Sequence, residues 1–185
     1  MRSILFCGVA AAVATMLSGP TASGQSRSSV DAKTNAIAAS FSKFKSLSKE
    51  KHGIKKEKYL KVESQPAVLP NPADYSGKYE VPDLHMSIDL KVNRDGSFTG
   101  SGYEELGDGV MRTFVLRDGK IDRAFLSATK VYANASQTFE GAFMNRSTYE
   151  SPTDKGTTVF GFGTIGRAIY VNGYTTDKFF FQKVE

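Results

Sequence analysis

The chain has 185 residues, a formal net charge of +5, 40% apolar residues, one cysteine and no tryptophan. The apolar content is too high for a disordered chain and sufficient for one modest core. A lone cysteine excludes both a disulfide framework and a thiolate metal cluster.

Arg2, the apolar run Ile4 to Leu17 and the small-residue tail Ser18 to Gly24 have the form of a secretory signal peptide over residues 1–24. Its apolar run is shorter than the ~20 residues that cross a bilayer. A secreted or periplasmic location is therefore expected. Cys7 falls near the start of this segment, directly after Leu5 and Phe6, and not at a lipid-attachment position.

Residues 25–73 read as a basic arm. Gln25 to Glu63 carries ten Lys or Arg against four acidic residues. Ile37, Phe41, Phe44 and Leu47 fit one side of a helix within Val30 to Leu47. Lys49 to Lys61 is lysine-rich and reads as solvated. Pro66, Pro70 and Pro72 then make a semi-extended spacer. Such an arm suits contact with an anionic surface, whereas nucleic acid is not an expected partner of an exported chain.

From Asp74 to Glu185 only strand patterns follow. Met86-Ser-Ile88-Asp-Leu90-Lys-Val92 alternates strictly, giving one buried and one wet face. Asn93 to Gly96 predicts a hairpin into Ser97 to Glu104, and Asp118-Gly119 predicts another into Lys120 to Tyr132. Ser136 to Asn145, Thr157 to Thr164, Ala168 to Val171 and a last strand reaching Phe181 complete the series. Eight or nine strands joined mostly by tight turns predict an all-β, antiparallel meander barrel over residues 74–185. A two-sheet sandwich, which needs longer crossovers, is the alternative.

Ser76-Gly77-Lys78-Tyr79, followed by an alternating strand and then Gly96-Ser-Phe-Thr-Gly-Ser-Gly-Tyr103, resembles the opening of the avidin and lipocalin (calycin) barrels. The match covers about thirty residues, and Thr-Gly-Ser-Gly-Tyr carries one residue more than the avidin pattern. The resemblance implies a barrel shape and not a known ligand. The missing tryptophans depart from both the biotin cage and the Gly-x-Trp signature, so biotin is not the implied ligand.

No catalytic or metal motif stands out, and no cofactor is expected. His85 could serve a Ser-His-Asp arrangement with Asp83 or Asp89, or be a polar turn residue. Glu104 and Glu105 are adjacent and point apart, so they do not form one acid–base pair. Val110, Arg112, Phe114 and Leu116 share a face. If Phe114 points inward so does Arg112, and a buried Arg needs an acid or an anionic ligand. Arg123 stands in the same position beside Ile121 and Phe125. The expected ligand-binding set is Arg112, Arg123, Tyr103, Phe114 and His85, taking a small apolar or mixed-polarity molecule in the barrel mouth. The alternative is a module that binds a secreted protein through the Tyr149 to Gly156 loop and the Glu104 to Gly109 turn, with no enzymatic activity in either case.

Overall fold

Met86, Ile88, Leu90 and Val92 all enter one packed interior, as their alternation requires. The computed structural model describes residues 23–51, 54–81, 84–105, 109–170 and 173–184. All but the last two residues of the expected signal segment lie outside these ranges. Helix α1 (Ser23–Phe41) and a hairpin of β1 (Lys43–Lys51) and β2 (Ile54–Pro66) come first. A 3₁₀ turn (Pro72–Tyr75) leads into β3 (Gly77–Val81), β4 (Met86–Val92), β5 (Ser97–Glu105), β6 (Met111–Asp122) and β7 (Phe125–Val131). The chain ends with β8 (Ser136–Tyr149), β9 (Thr157–Tyr170) and β10 (Gly173–Lys183).

Strands β3 to β10 pair antiparallel with their neighbours in sequence. Gln182 and Lys183 of β10 then pair with Glu80 and Tyr79 of β3 and close the ring. The result is a closed antiparallel eight-stranded barrel, compatible with a calycin-like fold. Two strands are added to it. Lys61 to Pro66 of β2 pair with Tyr149 to Met144 of β8, and β1 pairs with β2.

Inward residues from every barrel strand fill the interior. Phe162 lies 5.0 Å from Phe181 and 5.0 Å from Tyr79, ring centre to ring centre, and Phe143 stacks on Tyr75 at 4.1 Å. An eight-stranded barrel is narrow enough for its own side chains to plug it. Tyr75 closes one end: its hydroxyl accepts from the Leu69 amide at 2.8 Å and lies 2.9 Å from the Ala67 carbonyl and 3.0 Å from that of Arg123. Outside, Lys78, Asp89, Thr99, Arg117 and Lys120 are among the solvent-facing residues. This polarity is the reverse of a lipid-facing barrel.

Three local expectations change. Asp118-Gly119 is a bulge within β6, marked by a register shift between Arg117 and Lys120, and the hairpin turn falls at Arg123-Ala124. The glycine serves close approach, because a Cβ at 119 would stand 2.4 Å from the Phe98 carbonyl oxygen. The helix spans Ser23–Phe41 and not Val30 to Leu47. It stops there, and Lys43 to Lys51 pairs with β2 as a strand. The lysine-rich stretch read as solvated linker accordingly belongs to the β1–β2 hairpin.

Helix α1 lies against β2, β7, β8 and β9 and packs on Phe180 of β10. Ala38, Ala142, Met144 and Phe180 form a second small core there, with Ile37, Phe41 and Val159 packed against it.

Candidate functional site at the end of the barrel opposite Tyr75

In a meander, successive connections alternate between the two ends of the barrel. The β3–β4, β5–β6 and β7–β8 connections therefore share the end opposite Tyr75. At that end β5 and β6 bring Glu104 opposite Arg112, Tyr103 opposite Thr113 and Gly102 opposite Phe114.

Just below the rim lies a buried charge network. Glu104 and Lys130 are 3% and 5% exposed. The Lys130 ammonium donates to Glu104 Oε2, and the Tyr132 hydroxyl donates to Oε1 of the same carboxylate. Gln137 Nε2 donates to the Tyr132 hydroxyl at 3.2 Å. The ammonium also faces three aromatic rings, 4.0 Å from the centre of Phe114, 5.1 Å from Tyr132 and 5.9 Å from Phe139. Ring faces attract a desolvated cation, so the rings supplement the carboxylate. Burial lowers the pKa of Lys130, opposed by the Glu104 charge. Burial foremost, then the hydrogen bond and charge of Glu104, raises that of the Tyr132 hydroxyl, while Arg112 works against it. The network is internally satisfied: one carboxylate serves one ammonium and one hydroxyl.

Outside the wall at the same end runs an open groove of about 710 Å³ across β3 to β7. Tyr103, Val115 and Val131 give it apolar surface, and Asp89, Ser101 and Arg117 give it polar surface. Phe114 reaches its floor beside Gly102. A Cβ at Gly102 would stand 2.3 Å from the Ser87 carbonyl oxygen and 2.6 Å from Phe114 Cζ. Of the exposed apolar side chains, Tyr103 and Val115 line the groove, and Leu84, Val110 and Met111 lie at the same end of the barrel.

Four of the five residues read from sequence come to this end, but they do not face one cavity. Phe114 is buried inside, while Tyr103 is exposed on the outer wall. Arg112 shares the inward register of Phe114 and stands at the rim, where it is solvent-exposed. His85 is exposed and its Nδ1 lies 2.6 Å from Glu105 Oε2. Arg123 is at the far end, in the β6–β7 turn with φ 60°. Its guanidinium reaches Asp31 of α1 at 2.5 Å and so ties the helix to the barrel. The two loops named for a partner also separate: Tyr149 to Gly156 belongs to the Tyr75 end, opposite the β5–β6 connection.

Sequence reasoning missed Lys130 and its partnership with Glu104 and Tyr132. The signal was present, since Leu126, Ala128, Lys130 and Tyr132 share one parity, and the first two are plainly core residues. Among the described residues, no group of three His, Cys, Asp or Glu side chains is placed to hold a metal ion.

The fold and this end together define a closed eight-stranded barrel with a packed interior and an apolar outer groove. No family model matches the chain, and neither does any curated protein or solved structure.

Proposed function

We propose that this protein is an exported, calycin-type binding module that docks an apolar segment of a partner protein in the outer groove at the end of its barrel opposite Tyr75. The observation that carries this reading is that exposed Tyr103 and Val115 line one groove, with Leu84, Val110 and Met111 exposed at the same end of the barrel, while the interior is packed with its own side chains. Contiguous exposed apolar surface with a polar rim is characteristic of interaction sites. The test is partner capture by the protein immobilised through its C-terminus, with Met111→Glu and Val115→Glu variants beside the parent. Retained capture by both variants would refute the groove as the contact.

A small apolar ligand in the same groove is the second reading. It is favoured by the volume of about 710 Å³, which falls in the range of small-molecule sites. Native mass spectrometry of the protein from its own source, compared with the denatured sample, separates the two. A mass lost on denaturation supports the small ligand, and a bare chain supports the protein partner.

A further inference from the structure

Buried polar side-chain atoms are nearly always paired, because desolvation without a partner is costly. Two buried side-chain polar atoms lack a partner among the described residues: Nε of Arg146 and Oγ of Ser64. These residues are direct register partners across β2 and β8. Side chains so placed start about 5 Å apart on one face of the sheet.

Arg146 is held in an unusual way for a charged residue. Its guanidinium carbon lies 5.2 Å from the centre of the Phe180 ring, and Phe180 is itself packed by Phe41 of α1. The Phe180 ring thus lies against the guanidinium, whose Nε is buried without a partner. Arg146 takes part in none of the ion pairs among the described residues. Burial lowers its pKa. On the facing strand the Ser64 amide donates to Ser42 Oγ at 3.1 Å, which sets the serine backbone and engages the neighbouring hydroxyl. A second cation, Lys178, is held to the carboxyl-terminal turn of α1 through the Ser40 carbonyl at 3.1 Å.

We propose that Arg146 and Ser64 form a binding site for one oxyanion group, a carboxylate or a phosphate, where β2, β8 and the end of α1 meet. One oxygen accepts from Arg146 Nε, and the group accepts from the Ser64 hydroxyl while neutralising the guanidinium. Arginine suits this role because its planar fork matches both anions. The site is separate from the groove, which is built from β3 to β7 and the residues just after β7.

Calorimetric titration of the full chain with sodium phosphate, and separately with sodium acetate, at constant ionic strength tests the site. Saturable binding of at least one anion is expected, with roughly tenfold weaker binding in Arg146→Met. Methionine keeps an apolar contact on Phe180. Ser64→Ala, a smaller change on the other strand, should weaken binding about threefold to tenfold and guards against a folding defect in the first variant. Binding of phosphate alone assigns a phosphate ligand, and binding of acetate alone a carboxylate such as a peptide terminus. Failure of both anions to bind, or equal binding by parent and both variants, overturns the proposal.

Discussion

The ammonium of Lys130 stands 4.0 Å from the centre of the Phe114 ring, and the same ammonium is bonded to Glu104. Carboxylate and ring faces together replace the water that a buried cation loses. Removing the anion leaves a charge among three rings. Glu104→Ala should therefore cost about 3–5 kcal/mol in chemical denaturation. Glu104→Leu with Lys130→Met should recover most of that loss, although the Tyr132 hydroxyl then lacks its acceptor. If the double variant proves no more stable than Glu104→Ala, the pair is not the source of the effect.

Tyr79 is fully buried, and its hydroxyl donates to the Tyr75 carbonyl at 2.6 Å. Burial, and then the proximity of Tyr75, raises its pKa well above the ordinary value of 10.0. The native state thus holds the phenol neutral where the unfolded chain ionises it. This contribution is complete below about pH 10 and is lost as pH rises beyond it. Tyr79→Phe should lower stability at pH 7 by about 1 kcal/mol for the lost hydrogen bond. It should also flatten the alkaline limb of a stability–pH curve. An unchanged alkaline limb would assign that limb to other groups.

Two glycines separate steric from conformational cost. Gly119 sits where a Cβ meets the Phe98 carbonyl oxygen, whereas Gly109 has φ 71° and open space around it. Gly109→Ala should cost about 1–2 kcal/mol, from the left-handed backbone alone. Gly119→Ala should cost more, because backbone atoms of β5 must move. Thermal denaturation of both variants decides the order.

The helix is fastened to the barrel by packing more than by charge. Asp31 and Arg123 are both substantially exposed, so Asp31→Asn should change stability by less than about 1 kcal/mol. Phe41 packs on Phe180 and over Gly163. Phe41→Ala should cost about 2–3 kcal/mol, short of a fully buried phenylalanine because Phe41 is only half-buried. Equal losses from the two variants would contradict this order.

The barrel was legible because Met86 to Val92 alternates and because Asn93 to Gly96 is a turn of unmistakable chemistry. Its Asp95 carboxylate accepts from both the amide and the hydroxyl of Ser97. Asp118-Gly119 misled because the same dipeptide suits a bulge, and the difference rests on Phe98, far away in sequence. The lysines of β1 and β2 concealed strands because β8, the barrel strand that β2 pairs with, follows some eighty residues later. At the end opposite Tyr75, Phe114 and Arg112 were readable by parity. The partnership of Glu104 with Lys130 was not, since it depends on β5 and β7 meeting across the barrel interior.

The way β8 is shared carries one more consequence. Its residues 136–142 pair with β7, and residues 144–149 pair with β2. The hairpin thus covers a length of barrel wall that no other strand occupies. A chain trimmed to begin at Asp74 would expose a ready template for strand addition, and copies of it should self-associate. In the intact chain the outermost strand is β1, with four lysines in nine residues, and mutual repulsion there discourages stacking of one molecule on the next. What reads in sequence as a tether is in the fold a seal against its own kind.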